Sequence, residues 1–86
     1  MNWPDEITSL YDDLLAQLPL PVRDSVRAAA EQRAEEAAED AGGRLTLEIA
    51  LRAFIEATPA DLRARMEKTL SLHGIDAGDY DDAFAS

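Results

Sequence analysis

Catalysis needs a nucleophile, a proton carrier or a metal ligand, and this chain offers few of them. Its single histidine, His73, can act as acid, base or ligand, but it falls at an expected helix end, where histidine commonly caps carbonyls. Ser9 and Ser25 have no histidine near them in sequence, Ser71 lies two residues before His73, and neither a Gly-x-Ser-x-Gly nor a lysine-paired serine pattern is present. Cysteine is absent, which removes thiolate catalysis, disulfides and cysteine-ligated zinc or iron–sulfur sites together. Gly42-Gly43 reads as a helix terminator and not as a phosphate-binding loop. The carboxylate-rich run Asp76-Ala77-Gly78-Asp79-Tyr80-Asp81-Asp82 offers oxygens to a divalent cation. It lacks the sixth-position glycine and the closing glutamate of a calcium loop. Glu35 and Glu39 share a helical face and could hold a hydrated cation weakly, but surface solvation is by far the stronger reading. The expectation is no catalytic residue, no metal and no cofactor.

The charge balance points the same way. Eighteen acidic residues face eight basic ones, for a formal net charge of −10. Phosphate backbones and anionic lipid heads repel such a body, so nucleic acid is not expected as a partner. No apolar run is long enough to span a bilayer. The opening Met1-Asn2-Trp3-Pro4-Asp5-Glu6 lacks the basic and apolar regions of a signal peptide. A cytoplasmic location is the expectation. Eighty-six residues allow one domain with a modest core, which helix packing or a partner must stabilise.

The elements that would position any site are helices. Trp3, Ile7, Leu10, Tyr11, Leu14, Leu15 and Leu18 recur at spacings of three and four, one apolar stripe. Pro4 suits its first turn, and Asp5 and Glu6 complement its positive end. Leu18-Pro19-Leu20-Pro21 breaks the pattern into a stiff corner, and Pro21 can open a second helix that stops at Gly42-Gly43. That helix has a thin apolar face of Val22, Val26, Ala29, Ala30, Ala34, Ala37, Ala38 and Ala41. Alanine favours helix but buries little area, so this face predicts close approach of a neighbour. Thr46 predicts the N-cap of a third helix, with Leu47, Ala50, Leu51 and Phe54 on one side. Thr58-Pro59-Ala60-Asp61 has the spacing of a capping box opening a fourth helix, with Leu62, Met66, Thr69 and Leu70 inward and an end near His73-Gly74.

Fold class is therefore expected to be all-α: a small bundle of four helices over residues 1–74, with an acidic tail over residues 75–86. The core is expected to contain Leu10, Leu14, Val26, Leu47, Leu51, Phe54, Leu62 and Met66. The tail is expected to be mobile, although Tyr80 and Phe84 could fold back on the body.

Charge on the second helix is placed against its dipole. Glu35, Glu36, Glu39 and Asp40 crowd the negative end and Arg23 and Arg27 lie near the positive one, at about 0.3–1 kcal/mol per exposed charge before screening. A solvated face is one reading. The other is a docking surface, made of Glu35, Glu36, Glu39 and Asp40 with Arg23, for a protein partner with a basic surface.

Residues 3–57 resemble the small domain at the C-terminus of the B subunit of light-independent protochlorophyllide reductase, a domain that also occurs as short stand-alone proteins. The resemblance rests on Trp3 opening an amphipathic helix, on Leu18-Pro19-Leu20-Pro21-Val22-Arg23, on Glu31 and Ala34 in the next helix, and on Gly43-Arg44-Leu45-Thr46-Leu47-Glu48. Two departures stand out: Leu20-Pro21 replaces bulky aromatics, and the second helix has fewer basic residues. The resemblance implies an accessory module, detached from an assembly linked to tetrapyrrole or photosynthetic metabolism, and transfers no catalytic residue. A small tetrapyrrole carrier lined by Trp3, Tyr11 and Phe54, or a subunit completing a reductase complex, are the rival expectations.

Overall fold

The computed structural model describes residues 2–85 and contains no strand among them. Helix α1 spans Asp5–Ala16, α2 Leu20–Asp40, α3 Leu47–Ala57, α4 Met66–Leu72 and α5 Asp81–Phe84. Two 3-10 segments, Ala60–Arg65 and Ala77–Tyr80, lead into α4 and α5. The all-α expectation holds, with a short fifth helix added at the C-terminal end.

Proline and glycine set the boundaries. Pro4 is extended (φ −58°, ψ 142°) and its carbonyl accepts the first helical bonds, so α1 begins at Asp5. Trp3 thus lies outside the helix whose stripe it was expected to start, as the residue before a proline is biased away from helix. At the corner Pro19 is again extended, and α2 starts at Leu20 with Pro21 inside its first turn. The far end of α2 closes in a Schellman motif. Gly43 N–H donates to Ala38 O at 2.7 Å and Gly42 N–H to Glu39 O at 3.2 Å, with Gly42 at φ +100°. The same motif ends α4, where Ile75 N–H reaches Leu70 O and Gly74 takes φ +74°.

The core follows the expected stripes with two exceptions. Leu10, Leu14, Val26, Leu51, Phe54 and Met66 are buried. Leu62 is only half-buried, and Leu47 is 37% exposed. Leu47 sits just after the N-cap Thr46, whose Oγ1 accepts from Ile49 N–H. The buried arc of α3 then runs through Ala50, Leu51, Ala53, Phe54 and Ile55, which leaves Leu47 at its edge. Ala30, Ala34 and Ala38 are fully buried along α2, one turn apart, and α3 is the helix packed most extensively on α2. Ala50 and Ala53 are buried on α3 as well. The close approach expected of the alanine face is met by α3.

The capping box at Thr58 does not form. Thr58 is buried and its hydroxyl donates backward to Phe54 O at 2.8 Å, closing α3. The N-cap position passes to Pro59, which has no side-chain acceptor, and residues 60–65 wind as a 3-10 segment in which Leu62 N–H donates to Pro59 O. Arg63 holds the turn. The residue is only 8% exposed, and its Nε donates to Thr58 O at 2.9 Å.

The C-terminal residues also depart from expectation. Rather than leaving the body, the tail packs on it: Tyr80 and Ala83 are buried, and Phe84 packs against the core. Arg63 Nη1 donates to the carbonyls of Ala83 and Phe84, at 3.3 and 3.1 Å. Arg52 of α3 pairs with Asp82 at 2.7 Å and lies over the Tyr80 ring, 5.2 Å from its centroid. The acidic composition that suggested mobility is offset by two arginines placed to receive it.

Candidate interaction surface

The residues expected to bind a partner separate into two groups. Glu35 is partly covered: the Trp3 indole N–H donates to its Oε2 at 3.1 Å. This contact fastens the N-terminal segment across α2, so Glu35 has a structural task. Glu36 accepts from Gln32 one turn back, at 3.2 Å. Glu39 and Asp40 are exposed beside it. Steps of three and one residue keep Glu36, Glu39 and Asp40 on adjoining faces at the carbonyl end of α2, where dipole and carboxylates have the same sign.

Arg23 is not brought to this cluster. It occupies the opposite end of α2, where Nε donates to Leu18 O at 2.8 Å and Nη2 to Ala16 O at 3.1 Å. Ala16 O is one of the carbonyls that the end of α1 leaves without a helical donor, and Leu18 O lies in the corner itself. Arg23 therefore orients the proline corner.

Most of the other cations act in the same way, as joints between elements. Arg27 of α2 pairs with Asp12 of α1 at 2.8 Å, and Arg33 with Glu56 of α3 at 3.6 Å. Arg52 and Arg63 hold the C-terminal segment, and Arg65 reaches Gln17 O at 3.5 Å. The exposed pairs among these contribute little stability singly. Their consequence is electrostatic: guanidinium groups are drawn into seams, while Glu36, Glu39 and Asp40 make no ion pair among the described residues; Arg33, which lines a hollow with Glu36, pairs with Glu56.

His73 does not cap carbonyls. Although it terminates α4, its Nε2 lies 2.7 Å from Asp13 Oδ2 of α1, and this contact ties the two helices. A hollow of about 330 Å³ beside the pair is lined by Asp13, Ala16, Gln17, Thr69, Leu72 and His73. It brings imidazole, carboxylate and hydroxyl side chains together. The His73 backbone N–H donates to Thr69 O at 3.1 Å, whereas no hydrogen bond joins the Thr69 hydroxyl to the His73 ring among the described residues. A second open hollow of about 620 Å³ lies between α4 and the 3-10 segment Ala77–Tyr80, lined by Glu67, Ser71, Gly74, Ile75, Asp76 and Ala77. No group of three or more potential metal ligands converges among the described residues.

The aromatics form core. Trp3 and Tyr11 meet edge-on at 5.1 Å between centroids, and Tyr11 and Phe54 at 4.9 Å. The Tyr11 hydroxyl donates to Ala50 O, satisfying a buried polar group. Burial, and secondarily the charge of Glu31, push the Tyr11 phenol pKa well above its ordinary value. These rings fill one another's flanks, and neither hollow described above is lined by them.

Arg63 and the Arg52–Asp82 pair were not foreseen in the sequence. The available signal was the pair of aromatics, Tyr80 and Phe84, set in an otherwise solvated acidic run. No helix among the described residues is long and apolar enough to cross a membrane. No family model matches the chain, and no curated protein or solved structure matches it either.

Proposed function

We propose that this chain is a non-catalytic interaction module that docks a protein partner with a basic surface through the acidic end of α2. The observation that carries the reading is the distribution of cations. Six of the eight basic side chains, Arg23, Arg27, Arg33, Arg52, Arg63 and Arg65, join one element to another. Glu36, Glu39 and Asp40 remain exposed and make no ion pair among the described residues, against the dipole of their own helix. A cluster that opposes its helix lowers folding stability, and a partner that neutralises it recovers that energy on binding. Glu35 and Arg23, with their structural tasks, stand outside the proposed contact.

The resemblance of residues 3–57 to the protochlorophyllide reductase small domain adds a finer proposal, that the partner belongs to an assembly acting on tetrapyrroles. The carrier alternative draws no support from Trp3, Tyr11 and Phe54, because the three rings pack on one another.

The test is purification from the native host, followed by the visible spectrum and identification of what copurifies. A colourless, stoichiometric protein with a basic face is expected, and activity should not depend on any side chain of this chain. A bound chromophore without a protein would establish the carrier instead. Activity that appears in the mixture and vanishes on substituting one side chain of this chain would establish a catalytic subunit.

A further inference from the structure

We propose that residues 76–85 form a strap that opens as a unit at the Gly74 turn, while α1 to α4 stay folded, and uncovers an arginine-lined face of α3. Among the described residues the strap is held by two Arg63 hydrogen bonds, to Ala83 O and Phe84 O, by the Arg52–Asp82 pair and by a small apolar contact. Its α-helix is four residues long and its 3-10 segment four. Only Tyr80 and Ala83 are buried in it, with Ala77 and Phe84 partly so. Its ion pair is open to water: the Arg52 and Asp82 side chains are 32% and 73% exposed. Segments with few buried apolar groups and solvent-exposed bonds open locally at less cost than the whole domain unfolds.

The boundary of the moving unit is drawn by the turn that precedes it. The Schellman bonds Gly74 N–H to Ser71 O and Ile75 N–H to Leu70 O belong to the end of α4, and they can persist when the strap leaves. Gly74 already has the left-handed φ that allows the chain to change direction. Opening does not strand Arg63 either. Its bonds to Thr58 O and Glu56 O lie within the body, and water replaces the Ala83 and Phe84 carbonyls.

What opening exposes differs in sign from the rest of the surface. Arg52 and Arg63 would face solvent beside the apolar flank that Tyr80 and Ala83 now cover, on a chain whose net charge is −10. The released strap would carry Asp76, Asp79, Asp81 and Asp82 with two aromatic rings. The closed state thus hides a cationic apolar face under an acidic aromatic segment of matching chemistry. This inference does not depend on the partner proposed above.

Amide hydrogen exchange of the full chain, followed by NMR, decides it. Asp79 N–H and Ala85 N–H report on the strap through their bonds to Asp76 O and Asp81 O, and Leu14, Leu51 and Phe54 report on the core. The strap amides are expected to be protected, yet to exchange at least about tenfold faster than the core amides. Asp82→Asn should speed strap exchange about two- to fivefold and leave core exchange unchanged. Arg52→Gln, which also removes the contact with the Tyr80 ring, should have the larger effect. Strap and core amides exchanging at one rate, and responding together to both variants, would show a single cooperative unit and overturn the proposal. Strap amides without any protection would overturn it equally, because there would be no closed state to open.

Discussion

Replacing Ala34 by leucine sets two effects of opposite sign against each other. Ala34 is fully buried in the face of α2 that packs on α3, between Ala30 and Ala38. Area bookkeeping favours the substitution, since burying three further carbons would stabilise by about 2 kcal/mol at roughly 0.8 kcal/mol per methylene. Helix propensity is nearly neutral, because leucine ranks just below alanine. Packing opposes it. Helix α2 packs more extensively on α3 than on any other helix, and both carry small buried residues, Ala30, Ala34 and Ala38 on one and Ala50 and Ala53 on the other. The added atoms should therefore force the helices apart, and overpacking costs about 1–3 kcal/mol. The packing term should win, leaving Ala34→Leu destabilised by about 1–3 kcal/mol. With a urea slope near 1 kcal/mol/M, the midpoint should fall by about 1–3 M at unchanged slope. Ala37→Leu on the exposed side of the same helix is the control, expected to shift stability by no more than about 0.5 kcal/mol. A midpoint for Ala34→Leu at or above that of the parent would refute close packing of α2 on α3.

Other perturbations test separate parts of the account. Leu51→Ala, at a fully buried position of α3, should lower stability by about 2–5 kcal/mol in urea unfolding, a large share of the total for a domain this small. Trp3→Phe keeps the ring beside Tyr11 but removes the indole donor to Glu35, and should cost about 0.5–1.5 kcal/mol by the same measurement. Tyr11 sets the alkaline limit. Its folded pKa lies above the ordinary 10.0, so its contribution is full below pH 10 and is lost as pH rises from there toward the folded value. Ultraviolet titration should show Tyr11 ionising only with loss of helix, not before. At the acid end, Asp82 is held below the ordinary 3.8, first by its hydrogen bond from Arg52. Its pairing should therefore be complete above that pH and fade as pH falls through the lowered value, seen as movement of the Tyr80 and Phe84 ring resonances ahead of the core.

The helical body was legible because its signals are local. Extended prolines at 4 and 19, glycines at 42 and 74 in the left-handed region, and Thr46 donating nothing but accepting from Ile49 are all chosen within a few residues. Period-3.6 stripes then gave most of the core, and the alanine face of α2 correctly announced a close neighbour. What failed was non-local or competitive. Thr58 ends α3, its hydroxyl donating back to Phe54 O, and the next segment is capped one residue later by Pro59, a shift that the spacing does not reveal. Arg52 and Asp82 are 30 residues apart in sequence, so composition read the tail as solvated when a cation was waiting for it. Of the docking residues, Glu36, Glu39 and Asp40 emerged as an exposed cluster. Glu35 and Arg23 had partners, Trp3 and the Ala16 and Leu18 carbonyls, that spacing along the chain does not reveal.

Association kinetics with the copurified partner test the central claim most directly. Rates would be measured across a salt series for the parent chain and for the combined Glu36→Gln, Glu39→Gln and Asp40→Asn variant. Electrostatic steering acts over a Debye length of about 8 Å at physiological salt and about 3 Å at 1 M. Low-salt association of the parent should therefore slow at least about tenfold as salt rises, with dissociation changing by less than about threefold. The variant should begin slower and show a shallower salt dependence. Association that ignores both salt and the three substitutions would contradict the account and leave the acidic end of α2 as a solvated face.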